Sequence, residues 1–145
     1  MTENLSEHTQ LIQDAVDPAV IDQQLNDKLG LKFTEVDPSR VVATMPVEGN
    51  LQPYGLLHGG ANASIAEAVG SAVAALNAGE GRAAMGLELT CTHHRAVRAG
   101  EVTAVGTPVH VGRGTVTAEI VITDDRGRRS CTAKLTCVIR DQPPR

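Results

Sequence analysis

Glu67 is the only acidic residue between Leu56 and Leu76, a stretch of small and apolar residues that holds no Lys or Arg to pair with it. A charge among groups that cannot solvate it costs free energy. Packing alone does not account for it. Just upstream stands His58-Gly59-Gly60. If a helix begins there, its first backbone N–H groups lack internal partners and lie at its positive end. Glycine lets a ligand approach that backbone closely, so the end can hold a developing oxyanion. A carboxylate and an oxyanion donor are equipment for chemistry at a carbonyl. The bland readings are a tight Gly-Gly turn and a surface Glu on an Ala-rich helix. The poverty of charge around Glu67 argues against the second.

Spacing adds a constraint. Gly59 and Glu67 are eight residues apart, about 12 Å along a helix axis. A reacting carbonyl must lie about 3 Å from both the oxyanion donor and the carboxylate. Two antiparallel helices, each giving its Gly59 end to the other's Glu67, would meet that requirement more easily than one. The spacing predicts an obligate dimer with two equivalent interface sites.

The elements that position these residues can be read from pattern. Residues 1–16 carry no strong pattern and read as a mobile tail or a frayed helix. A single domain follows over 17–142. Asp17-Pro18 starts a short helix and Gly30 closes it. Strands near 31–37 and 40–47 turn at Asp37-Pro38-Ser39. The Gly/Ala helix runs from Gly59 or Gly60 to Asn77, before Gly79. On its projection Ile65, Val69, Ala72 and Leu76 form the core stripe, while Gly60, Ala63, Glu67, Gly70, Ser71 and Ala74 lie opposite. Strands are predicted near 83–94 and 101–111. Val116, Ala118, Ile120 and Ile122 then alternate with polar residues, as do Cys131, Ala133, Leu135, Cys137 and Ile139. Period two means half-buried strands. Gly112-Arg113-Gly114 and Asp124-Asp125-Arg126-Gly127 are turns. The result is an α+β chain: an antiparallel sheet covered by one long helix.

Composition narrows the function. With 145 residues and 41% apolar content the chain has a real core, built without Trp and with one Phe and one Tyr. No apolar run is long enough to span a bilayer, and no signal-peptide pattern is visible. Cys91, Cys131 and Cys137 are odd in number and lack CxxC spacing, which reads as reduced thiols in a cytoplasmic protein. The net charge of −4 divides into −8 over residues 1–90 and +4 over 91–145. An acidic chain nearly devoid of aromatics does not suit nucleic acid.

The run Gln52-Pro53-Tyr54-Gly55-Leu56-Leu57-His58-Gly59-Gly60-Ala61, then Ala66-Glu67, Gly70-Ser71 and Gly86-Leu87-Glu88, resembles the hotdog-fold acyl-CoA thioesterases. The likeness is to the phenylacetate-pathway type, which includes bacterial 4-hydroxybenzoyl-CoA and 1,4-dihydroxy-2-naphthoyl-CoA thioesterases. It covers residues 28–140. It implies a sheet wrapped around one helix, dimers and often tetramers (dimers of dimers), and a site at the subunit interface. It implies that Glu67 attacks the thioester carbonyl or activates water against it. Gly59 would polarise the carbonyl oxygen. Gln52 and His58 would orient the thioester or the water. Ser71 would hold the carboxylate or the water. No metal or redox cofactor is needed, and coenzyme A is part of the substrate. Its phosphates call for Arg or Lys, with Arg95, Arg113 and Arg128, and also Arg98, Arg126 and Arg129, as candidates.

Three other constellations were weighed. Cys91-Thr92-His93-His94 places Cys91 and His93 on one strand face, without completing a metal-ligand spacing; His93 and His94 could also line a substrate site. The His-Phe-Pro-Gly signature of hotdog dehydratases is absent. A non-catalytic acyl-CoA sensor on the same fold is the alternative function. The roughly 27 residues before the first strand are too few for an attached DNA-binding domain with its own core.

Overall fold

The computed structural model describes residues 7–14 and 16–142. Helix α1 (Glu7–Asp14) is followed by a 3-10 segment (Pro18–Gln23) and α2 (Leu25–Leu29). Strands β1 (Lys32–Asp37) and β2 (Arg40–Pro46) come next, then the long helix α3 (Gly59–Asn77). Strands β3 (Arg82–His93), β4 (Glu101–Val111), β5 (Thr115–Thr123) and β6 (Arg129–Asp141) complete the chain. One six-stranded antiparallel sheet has the order β1-β2-β4-β5-β6-β3. The excursion through α3 sends β3 to the far edge, and α3 touches all six strands. This is the α+β hotdog architecture.

The period-two segments behave as their patterns require. Val116, Ala118, Ile120 and Ile122 are buried from β5, and Cys131, Ala133, Leu135, Cys137 and Ile139 from β6. The N-terminal region differs from its simple reading. Part of the tail expected over residues 1–16 lies outside the described residues, while Glu7–Asp14 is helical and Ile12 packs against the core. The single helix expected from Asp17 to Gly30 is two pieces, because Gln24 is extended (φ −66°, ψ 124°). Both end signals are used. The Asp17 side chain accepts Ala19 N–H at 2.9 Å. Gly30, at φ +70°, lets Leu31 N–H reach the Asn26 carbonyl at 2.9 Å, the closing bond of a Schellman end.

The helix projection needs correction. Gly70 and Ala74 are buried against the sheet rather than facing away, and Leu76 is only partly buried. The sheet curls further around the helix than a flat layer would. The buried positions from Ala61 round to Ala74 span about 220° at 100° per residue. Two glycines set how closely the layers meet. A Cβ at Gly70 would stand 2.7 Å from Leu135 Cδ2, and one at Gly106 would stand 2.5 Å from Val69 Cγ1.

The β5–β6 turn is tied by a buried carboxylate. Asp124 accepts N–H groups from Arg126 (3.0 Å) and Arg128 (2.9 Å), and its second oxygen meets the Arg128 guanidinium at 2.8 Å. Burial pushes its carboxyl up, but the bonds from Arg128 and Arg126 and the Arg128 charge outweigh that and hold it below the ordinary value. A depressed folded pKa gives stability that is fully present above the unfolded value of about 3.9 and is lost as pH falls through the folded value. Asp124→Asn should therefore lower Tm at neutral pH. Its deficit against the wild type should shrink as pH falls below about 4. Thermal melts across that range check it; a deficit independent of pH would assign the residue's effect to shape rather than charge.

Candidate active site

The start of α3 is built by His58. Its backbone is extended (φ −66°, ψ 132°), and its Nδ1 accepts Gly60 N–H at 2.8 Å. Its carbonyl accepts Ala61 N–H at 2.9 Å and Asn62 N–H at 3.2 Å. An accepting Nδ1 makes the His58 imidazole neutral with its proton on Nε2. Of the four amides that open the helix, that of His58 meets the Asn50 carbonyl at 2.8 Å and those of Gly60 and Ala61 meet His58, while Gly59 N–H alone has no partner among the described residues. Beside it stands His93, at the end of β3. A Cβ at Gly59 would lie 3.1 Å from His93 Nε2, while His93 Nδ1 is 3.3 Å from Asn62 Nδ2.

Two turns further on, Glu67 is half-buried. Its carboxylate has no hydrogen bond or ion pair among the described residues. It lines a cleft of about 320 Å³ with Leu25, Asn26, Ala63, Ser64, Ala68 and Leu89. It also lies against the backbone of β3: a side chain at Gly86 would collide with Glu67 Oε1. Gly86 pairs across the sheet with Cys137, and β3 is bulged between Gly86 and Glu88. The neighbouring thiols respond. Burial, then the Glu67 charge, pushes Cys137 up, against a hydrogen bond from Ser71. Cys91 is raised chiefly by burial as well, with the Glu67 charge adding to it.

The other sequence candidates are distributed unevenly. Ser71 follows Glu67 by one turn and lies near the Cys137 thiol, whose pKa its hydroxyl lowers. It lines a second cavity of about 710 Å³ that also takes in Ile12, Phe33, Ala72 and Leu76. The two cavities share Asn26 and Ala68, so the space beside Glu67 continues along α3. Gln52 sits in the loop before α3, where its side-chain carbonyl accepts Tyr54 N–H. Its amide NH2 makes no bond among the described residues. Arg95 follows β3, while the Arg113 carbonyl bonds Arg82 at the start of β3. The twelve residues between these ends span roughly 40 Å, so one coenzyme A cannot use both from one chain. Arg128 is committed to Asp124. The Cys91–His94 cluster also separates: Cys91 meets the Cys131 thiol, His93 meets Asn62, and His94 Nε2 meets Thr132 Oγ1 at 2.9 Å. Among the described residues no group of three His, Cys, Asp or Glu side chains is placed to hold a metal ion.

Asn62 was not singled out by sequence reasoning, although a signal existed. It falls inside the apolar arc of α3 and is buried there (5% exposed). A polar side chain on the sheet-facing side of a helix needs a reason.

The comparisons with known proteins agree with this geometry. Residues 54–131 match the model of the Thioesterase superfamily. A proofreading thioesterase EntH from Cronobacter turicensis is 43% identical over 116 residues, covering 79% of this chain and 85% of its own. EntH from Klebsiella pneumoniae is 44% identical over 74% of this chain and 79% of its own. A mutant thioesterase from Pseudomonas aeruginosa superposes with a TM-score of 0.81 at 33% identity, covering 98% of this chain and 97% of its own. A hypothetical thioesterase from Streptococcus pneumoniae, solved with coenzyme A, gives a TM-score of 0.70 at 25% identity over 79% of this chain and 88% of its own. The chain, with its His58-capped helix and unpaired Glu67, belongs to the thioesterase superfamily of hotdog-fold thioester hydrolases.

Proposed function

We propose that the protein hydrolyses an acyl-CoA thioester, with an aryl acyl group, at two equivalent sites between paired subunits. The observation that carries this reading is the single free amide of α3. His58 occupies the three neighbouring N–H groups and leaves that of Gly59 for a substrate oxygen. The negative charge that develops on the thioester oxygen is stabilised by this N–H at the positive helix end. Glu67, unpaired and open to a cleft, either attacks the carbonyl carbon or takes a proton from the attacking water. Both routes end with the acyl group as free acid and the CoA sulfur reprotonated as thiol.

Gly59 and Glu67 of one helix remain about 12 Å apart along its axis, which favours a Gly59 end from one subunit and a Glu67 from the other. The β3 edge suits that pairing, because Met85 (52%) and Leu87 (66%) are exposed there beside Gly86. The acyl group then extends from Glu67 into the larger cavity. Its Ala68, Ala72, Ala75 and Ala84 walls leave width for a flat ring.

Three measurements test the reading. Glu67→Gln should lower kcat by at least about 10²-fold while fold and oligomeric state persist. Thiol release from benzoyl-, phenylacetyl- and straight-chain acyl-CoAs reports it, and retained turnover would remove Glu67 from the chemistry. Coenzyme A binding without turnover of any of these thioesters by the wild type would support a sensor instead. Gly59→Pro deletes one N–H at a position where helices accept proline, and the extended His58 fits the residue before proline. Because its Cβ also presses on His93, Gly59→Ala, which adds the Cβ and keeps the N–H, is the reference. Against it, kcat of the proline variant should fall by roughly 10²–10³-fold with helix content unchanged. Light scattering during turnover should find only dimers or larger; a competent monomer would overturn the two-subunit site.

A further inference from the structure

We propose that Asn62 is a positioning residue: it fixes the His93 imidazole as the Nε2–H tautomer, so that His93 supplies a second hydrogen-bond donor beside Gly59 N–H. The inference rests on the thioesterase reading for its catalytic consequence, but its structural content is independent of it.

Three observations converge. Asn62 Nδ2 faces His93 Nδ1 at 3.3 Å. With its NH2 turned to the ring Asn62 donates, Nδ1 accepts and the ring proton takes Nε2; the reverse orientation of the amide would place the proton on Nδ1. That Nε2 stands over the first residue of α3, where a Cβ at Gly59 would lie 3.1 Å from it. Lastly, Asn62 is buried at 5% exposure and its Oδ1 has no hydrogen-bond partner among the described residues. An orphaned buried acceptor costs free energy that an apolar side chain of the same size would not. Asn62 therefore stands where packing alone disfavours it, with its one bond directed at a ring that borders the free amide.

The consequence is chemical. A neutral His93 with its proton on Nε2 donates to an oxygen at the helix end. The opposite tautomer presents a lone pair there and repels a developing oxyanion. The two histidines at this end divide the work. His58 Nδ1 accepts from Gly60 N–H and completes the helix cap. His93 faces the space that the cap leaves open.

The tautomer can be read directly by 15N-detected NMR of the histidine rings in the full-length protein, with His93→Gln to assign the signals. The wild type should show a protonated Nε2 and a bare Nδ1 at His93. Asn62→Asp, which offers only acceptors, should move the proton to Nδ1. Asn62→Leu, which keeps the branched shape without the polar atoms, should leave the ring in mixed tautomers. Both should lower kcat by about 10-fold or more while KM changes by less than about twofold, the pattern of an interaction made in the transition state. His93→Gln, which retains a side-chain N–H, should recover part of the activity lost in His93→Ala. A His93 protonated at Nδ1 in the wild type would overturn the assignment. So would an Asp or Leu variant that folds and keeps full kcat. If Asn62→Leu fails to fold, the wild-type spectrum and Asn62→Asp still decide. If Glu67→Gln proves fully active, the thioesterase reading fails while the tautomer measurement stands.

Discussion

The close approach of α3 to its sheet is the constraint on which the rest of the molecule depends. Gly70 against Leu135 and Gly106 against Val69 leave no room for a side chain, so the strands close around more than half of the helix. Enclosure on that scale buries Ile65, Val69 and Val73 completely and supplies apolar burial at roughly 25 cal/mol per Å² without large aromatic residues. It also leaves only a narrow arc of α3 uncovered. Ala63, Ser64, Glu67, Ala68 and Ser71 lie on that arc, and the two cavities open along it. The same packing that makes the core fixes the direction in which Glu67 can act.

Polar groups at the start of the helix follow a comparable economy. A helix N-terminus exposes four amides. In this chain His58 satisfies two of them, those of Gly60 and Ala61, through its ring and its carbonyl, and its own amide meets the Asn50 carbonyl. The fourth is left at the residue that lacks a side chain. Glycine at 59 lets the neighbouring ring stand close, since a Cβ there would press on His93. Free amide, cap and flanking imidazole are therefore neighbours in one packed unit.

Much of this was legible in the residues. Glu67 declared itself by lacking a partner, and it still lacks one among the described residues. The Gly59–Asn77 helix and the four later strands followed from end signals and period two. What escaped has a common physical origin: it depends on curvature and on contacts between distant segments. Gly70 and Ala74 could be assigned to the buried arc only once the sheet was known to curl. The break at Gln24 has no glycine or proline to mark it. Asn62 gains its meaning from His93, thirty-one residues away on the last-paired edge strand. Arg95, Arg113 and Arg128 looked equivalent as letters, yet they sit at two ends of the sheet and in an ion pair.

Three cysteines line the inner face of the sheet near the acid. Cys131, under its burial and its contact with Cys91, is pushed up to about 12. Cys91, partly buried, and Cys137, buried, feel the Glu67 charge and are raised as well. Burial is the first cause at all three sulfurs, and the Glu67 charge adds to it at Cys137 and Cys91. Only a thiolate is an effective nucleophile. Sulfurs that hold their protons are poor acceptors for an acyl group, so a raised thiol pKa disfavours transfer onto the protein's own cysteines.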